Sequence, residues 1–269
     1  MAEIIAIANQ KGGIGKSTTT INLADALTHL GKKVLVLDLD PQVNTTTTYG
    51  AVYEDEYTIV DVLKKDCSAR DAVQHTVMGD IIPGDKILSG EKIYFNSQKA
   101  RETLLKRALK DIEGDYEYIV IDTPPDLDIY MLSTLTTANG CIIPIFANNY
   151  AIKGLAALLD TINEIREILN SDLQIYGLLL GRYDARNSLD RDVLKTLPAI
   201  SEQTGIPVFK SVIRIDQNVQ NVQAKSIPNR IDKDGVINRS LFDNYPCSNA
   251  SIDYVNFTKE LLDIIEKNK

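Results

Sequence analysis

Near its start the chain reads Lys11-Gly12-Gly13-Ile14-Gly15-Lys16-Ser17, directly after a short apolar run. Three glycines in seven residues let backbone N–H groups converge on a phosphate, and a helix opening there adds the positive end of its dipole. The Lys16 ammonium suits the β- and γ-phosphates of a nucleotide, and the Ser17 hydroxyl suits Mg²⁺. A glycine turn beside a solvated lysine is the plainer alternative. Further on, Asp38-Leu39-Asp40-Pro41-Gln42 closes a second apolar run. Carboxylates one residue apart on a strand project to the same side, here at the carboxyl end where α/β sheets bind ligands. An Asp-Pro turn capping the next segment is the alternative. A third carboxylate, Asp122, ends Tyr118-Ile119-Val120-Ile121 and precedes Thr123-Pro124-Pro125. It suits holding Mg²⁺ through water, and the two prolines suit the stiff start of a segment that senses a γ-phosphate.

The elements that must position these groups are legible as alternating runs. Short β-branched stretches at 4–8, 34–37, 118–121, 141–145 and 175–180 alternate with helical patterns over 17–30, 98–112, 154–169, 189–204 and 253–266. Continuous apolar strands are buried on both faces, and their alternation with helices implies parallel βαβ units. The expected architecture is α/β: a three-layer, doubly wound, mostly parallel sheet with helices on both faces. Gly31 follows the first helix, and Gly205 with Pro207 closes the one over 189–204, as helix C-termini favour. The length of 269 residues fits one or two domains, and a single domain over 1–269 is the reading, with a less regular 211–248 segment before the last helix.

Hydrophobic residues make up 44% and charged residues 25%, the composition of a chain that buries a full core, which excludes disordered and collagen-like classes. The net charge of −8 argues against a protein that coats nucleic acid through bulk positive charge. Cys67, Cys141 and Cys247 stand far apart, and with two histidines there is no zinc or iron–sulfur pattern. The start has no signal-peptide pattern and no apolar run approaches the ~20 residues that span a bilayer, so a cytoplasmic, reduced setting is expected.

The glycine loop departs from the usual phosphate-loop pattern. Gln10 stands where a glycine is usual, five residues before Gly15, and Lys11 is an additional lysine. In this the loop resembles the deviant Walker A loop of the ParA/MinD ATPase family, a resemblance strengthened by the Asp-Leu-Asp-Pro-Gln segment and by Val120-Ile121-Asp122-Thr123-Pro124-Pro125. Weaker echoes, Asp184-Ala185-Arg186 and Pro246-Cys247-Ser248-Asn249-Ala250, extend it almost to the C-terminus. The resemblance implies a P-loop NTPase fold binding ATP and Mg²⁺, with nucleotide contacts from Lys11, Gly12, Gly13, Ile14, Gly15, Lys16, Ser17 and Thr18, and from Arg214. It also implies that Lys11 reaches a partner subunit's nucleotide, that Asp40 positions or deprotonates the attacking water, and that Asp38 acts on the Mg²⁺ shell with Ser17 and Asp122 as metal candidates. An exposed loop charge is the alternative for Lys11. Val43 replaces the glycine that most relatives carry before Asn44.

The family's partners are implied in the same way: an ATP-dependent homodimer, duplex DNA bound without sequence preference, and a ParB-like centromere-binding protein that stimulates hydrolysis. The ATP-bound state would then associate with the nucleoid. The C-terminal stretch 261–267 mixes acids into its end, unlike the basic amphipathic membrane helix of MinD-like proteins, so no membrane partner is expected. From Arg182 to Arg239 there are ten Lys or Arg against seven Asp or Glu, so positive charge is locally concentrated. Arg186 matches one DNA-contacting arginine of the family, the other is replaced by Gln220, and Lys225 is the substitute candidate; solvated loop charges are the alternative for both. A regulatory dimer that recruits a protein without using DNA remains the second functional reading.

Overall fold

The computed structural model describes residues 1–147, 153–224 and 239–268. Its strands are β1 (Glu3–Ile7), β2 (Val34–Asp38), β3 (Gln74–Thr76), β4 (Gly79–Ile82), β5 (Tyr118–Asp122), β6 (Gly140–Phe146) and β7 (Gln174–Gly181). They form one sheet in the order β3-β4-β2-β5-β1-β6-β7, parallel throughout except for the β3–β4 hairpin at one edge. Between them run α1 (Lys16–His29), α2 (Asn44–Tyr49), α3 (Ile59–Lys64), α4 (Leu88–Ser97), α5 (Leu104–Ala108), α6 (Ile129–Thr137), α7 (Lys153–Ile168) and α8 (Ser188–Thr204). Three more follow the last strand: α9 (Gln217–Ala224), α10 (Leu241–Asn244) and α11 (Asn249–Lys267).

Strand alternation divides the core in two. Ile4 and Ala6 of β1 join Leu35, Leu37, Ile119 and Ile121 in one apolar cluster with residues of α3 to α8. Ile5 and Ile7 join Val34, Val36 and Val120 in the other, with α1, α10 and α11. Because successive side chains on a strand point to opposite faces, the continuous apolar runs feed both helical layers at once. This is the expected three-layer α/β fold, the P-loop NTPase architecture. The connection after β1 leaves on the α1 face, whereas those after β5 and β6 leave on the other. The crevice of such a sheet opens at the carboxyl ends of these strands, where the glycine loop, Asp38 and Asp122 lie.

Two expectations need correction. The helical spacing over 98–112 is met by a 3-10 turn (Arg101–Thr103) followed by the short α5, because Gln98 is extended and Ala100 has φ 51°. Leu104, Leu105, Leu109 and Ile112 still reach one core cluster from these short pieces, so the apolar period survives without a continuous helix. The β3–β4 hairpin was absent from the sequence pattern, since Gln74-His75-Thr76 is polar and three residues long. Of the 211–248 segment, α9 and α10 flank residues that lie outside the described ones. Among the described residues no helix is long and apolar enough to cross a membrane.

Candidate functional site

The loop between β1 and α1 is held at its start by Asn9. Its side-chain amide donates to the Pro144 carbonyl of β6 (2.9 Å), and its Oδ1 accepts the Lys11 N–H (3.0 Å). Gly13 and Gly15 turn the chain at φ 73° and 86°. A Cβ at Gly15 would also lie 3.2 Å from Phe146, so both backbone angle and space demand glycine there. The first turn of α1 has no acidic residue and no side-chain cap, which leaves its N–H groups open to an anion. Lys16 is only 6% exposed, with Nζ 3.4 Å from the Lys11 carbonyl. Burial pulls its pKa down, while Asp122 and Asp40 oppose that by attraction.

Asp38 and Asp122 are paired in register on β2 and β5, and both are 0% exposed. Asp38 spends both oxygens on its own chain: Oδ1 accepts the Asp40 N–H (3.1 Å), and Oδ2 accepts the Thr46 N–H (2.8 Å) and hydroxyl (2.7 Å). Asp122 Oδ2 accepts the Thr45 hydroxyl (2.7 Å), whereas its Oδ1 is buried without a partner. Burial drives both carboxyl pKa values up, and for Asp38 the charge of Asp122 adds to it. An orphaned carboxylate oxygen, with the Ser17 hydroxyl close enough to pull the Asp122 pKa down against burial, fits a divalent cation. Ser17 and Asp122 are therefore the residues placed to hold Mg²⁺, and Asp38 reaches that position less directly because its lone pairs are engaged.

Asp40 lines the same cavity of about 620 Å³ as the glycine loop, Ile14, Ser17 and Thr18. Its Oδ1 accepts the Gln42 N–H at 2.9 Å. Burial raises its pKa, against the Gln42 bond and the Lys16 charge. The cavity thus brings one buried ammonium and one carboxylate facing open space to the end of a helix, with the metal-competent Asp122 carboxylate buried close enough to act on Lys16. That set can bind a polyphosphate and accept a proton from water near it.

The remaining sequence candidates fare unequally. Lys11 is exposed and makes no ion pair among the described residues. Arg214 lines the cavity, but its guanidinium grips Asp253 (Nη2–Oδ1 2.7 Å, Nε–Oδ2 2.9 Å) and is held at the cavity wall. Arg186 has an 87% exposed side chain and pairs with Asp184 (Nη2–Oδ2 2.9 Å), which holds that carboxyl down at about 2. Gln220 also lines the cavity, hydrogen-bonded to Gln217 at 2.8 Å. Lys225 lies outside the described residues. Thr45 and Thr46 were missed, although the run Asn44-Thr45-Thr46-Thr47-Thr48 directly after an acidic strand end was a visible signal. Also missed were Gln223, whose amide donates to the Thr18 hydroxyl (3.0 Å), and Tyr254, which lines the same cavity.

Residues 2–175 match the AAA domain family. Over 229 residues the chain is 38% identical to the sporulation initiation inhibitor protein Soj of Bacillus subtilis, covering 84% of this chain and 88% of that one. The chain belongs to the ParA/MinD family of ATPases. A second ParA-type relative, the chromosome partitioning protein ParA of Caulobacter vibrioides, is 39% identical over 228 residues, 83% of this chain and 84% of its own. Among solved structures, cobyrinic acid a,c-diamide synthase from Mycobacterium smegmatis, with bound ATP analog and magnesium, superposes with a TM-score of 0.83. It is 29% identical and the match covers 100% of this chain and 98% of that one.

Proposed function

We propose that this chain is a ParA-type DNA-partitioning ATPase: it binds ATP with Mg²⁺, dimerises, binds duplex DNA without sequence preference and hydrolyses ATP when a ParB-like centromere-binding protein stimulates it. The observation that carries this is the meeting of Lys16 and Asp40 in one cavity at the N-terminus of α1, with the orphaned Asp122 oxygen buried close enough to act on Lys16. The α1 N–H groups and Lys16 hold the phosphates, with the glycine loop from Gly12 to Gly15 wrapping them. Asp40 orients the attacking water and takes its proton. Ser17 and Asp122 would hold Mg²⁺, which would supply charge neutralisation for the phosphates. Lys11, free of ion pairs among the described residues, is available to a second copy's nucleotide. The protein acts as one domain over 1–269 in the cytoplasm, on the nucleoid when ATP-bound.

Measuring ATP binding and phosphate release separately tests the enzymatic part. Asp40→Ala should bind ATP like the parent and lose hydrolysis; normal turnover in that variant would remove Asp40 from the role. One observation favours a second reading, a regulatory dimer that recruits a protein without DNA: Arg186 is already matched by Asp184. Retention of duplex DNA by the ATP-bound protein alone separates the two.

A further inference from the structure

Arg239 is 4% exposed, and no carboxylate among the described residues pairs with it. A guanidinium is costly to bury without a counter-ion. Here Nη1 donates to the carbonyls of Thr47 and Thr48, the latter at 2.9 Å, while Nε has no partner. These are carbonyls in the last turn of α2; that of Thr47 also accepts the Gly50 N–H (3.2 Å), whereas no backbone N–H bonds that of Thr48 among the described residues. Water or a surface lysine could satisfy them at far lower cost, so capping alone does not account for a buried arginine.

The work of α2 does. At six residues it is too short to hold itself. Its first turn carries Thr45 on Asp122 (2.7 Å) and Thr46 on Asp38 (2.8 and 2.7 Å), and its approach is tied to Asp40 by the Val43 N–H on the Asp40 carbonyl (2.9 Å). Three of the polar contacts that fix the two buried carboxylates, from the Thr45 hydroxyl and from the Thr46 N–H and hydroxyl, therefore come from this one helix. Arg239 is its anchor at the opposite end, reaching across 191 residues of sequence.

We propose that Arg239 is a positioning residue for hydrolysis: by clamping the C-terminal carbonyls of α2, it sets the placement of Thr45 and Thr46 and so the alignment of Asp122, Asp38 and Asp40 at the phosphate loop. The role rests on the reading that these carboxylates serve ATP hydrolysis. Small displacements at a reacting centre can cost about a hundredfold in rate, whereas the glycine loop and Lys16, which hold the phosphates, make no hydrogen bond to α2 among the described residues.

The test compares Arg239→Gln and Arg239→Lys with the parent, well below their melting temperatures. Turnover, affinity for a non-hydrolysed ATP analogue and amide hydrogen exchange over residues 45–50 are read on each. Arg239→Gln should lose about tenfold or more in kcat, keep analogue affinity within about twofold, and exchange faster over 45–50 while β1 and β5 are unchanged. Arg239→Lys should recover part of both losses, since an ammonium still donates to a carbonyl. Parent-like exchange over 45–50, or parent-like kcat in Arg239→Gln, overturns the proposal. If Arg239→Gln does not fold, Arg239→Lys decides: intermediate exchange and kcat support the clamp, parent values overturn it. Absence of hydrolysis in the parent would count against the enzymatic reading alone, and the exchange over 45–50 would still decide whether Arg239 holds α2.

Discussion

Asp38 and Asp122 stand opposite each other at the carboxyl ends of β2 and β5, equally buried, yet Asp38 is satisfied on both oxygens and Asp122 on only one. The difference divides their duties. Asp122 has a lone pair to offer a cation, and Asp38 ties the strand end to Asp40 and α2.

Magnesium dependence should follow that division. Chelating Mg²⁺ should weaken binding of an ATP analogue by the parent by about tenfold or more, because the phosphate charge then faces Asp122 unscreened. Asp122→Asn should bind the analogue with little response to Mg²⁺. Asp38→Asn should keep the parent's Mg²⁺ response. Calorimetric titration with and without chelator checks this, and a full Mg²⁺ response in Asp122→Asn would reassign the metal site.

Lys16 is a buried cation with no acid in hydrogen-bond contact among the described residues, and Asp122, Asp40 and Asp126 act on it from nearby. Lys16→Ala should abolish nucleotide binding at concentrations that saturate the parent. A thermal shift assay reads this directly. Saturating the parent at about 100 times Kd should stabilise it by roughly 2.7 kcal/mol, and the variant should show no shift.

What the sequence made legible was what is contiguous. Lys11 to Ser17 supplies the loop from neighbouring residues, and Asp38, Asp40 and Asp122 end apolar runs that can only be buried strands. Contacts across the fold were not readable. Thr45 meets Asp122 over 77 residues of sequence and Arg239 meets Thr48 over 191, and neither spacing has a local signature. The apolar period over 98–112 misled because it reports which residues face the core, not whether the chain between them stays helical. Val43 shows the opposite failure: a β-branched residue adopts φ 50° at the start of α2, a conformation that residue type disfavours and only the surrounding contacts enforce.

Dimerisation should depend on Lys11. A ligand shifts a monomer–dimer equilibrium only through tighter binding to one state, and a lysine with no partner in its own subunit's described residues can supply that difference across an interface. With a slowly hydrolysed ATP analogue, light scattering should show a dimer for the parent and a monomer for Lys11→Ala. An unchanged dimer in the variant would sink the cross-subunit role.

Stability should carry a pH signature from Asp25 on α1. Burial raises its pKa to about 6, partly offset by hydrogen bonds from Ser240 and the Leu241 backbone, with His29 (3.9 Å) and Asp243 also facing it. An acid whose folded-state pKa is raised contributes stability fully present below its unfolded pKa near 4, and that contribution is lost as pH rises through about 6. The loss is on the order of 2–3 kcal/mol for two units. Asparagine keeps an acceptor for Ser240 and Leu241 without the charge. Melting temperatures from pH 4 to 7.5 should therefore fall less for Asp25→Asn than for the parent, and parallel curves would show that Asp25 is not the titrating group.

DNA binding should be limited by Asp184. The Arg186 side chain reaches solvent, but its Nε and Nη2 lie 3.0 and 2.9 Å from the two Asp184 oxygens, so a DNA phosphate must compete with an internal carboxylate for the same fork. Asp184 Oδ1 also accepts the Arg186 N–H at 2.9 Å, a bond that asparagine can keep. Asp184→Asn should thus preserve the turn, free the guanidinium and tighten retention of arbitrary duplex by the ATP-bound protein. Arg186→Glu should weaken it for every sequence alike, because phosphate contacts carry no sequence information. Two weak patches on one dimer gain avidity that a monomer lacks, so both effects should require ATP. Retention should fall steeply with salt as counterions compete, and Asp184→Asn should steepen that slope by about one phosphate contact per subunit. Gel retardation across a salt series, with parent and both variants, checks all of this. If neither variant departs from the parent, Arg186 does not touch DNA, and if the ATP-bound parent retards no duplex at low salt, the regulatory dimer becomes the better reading.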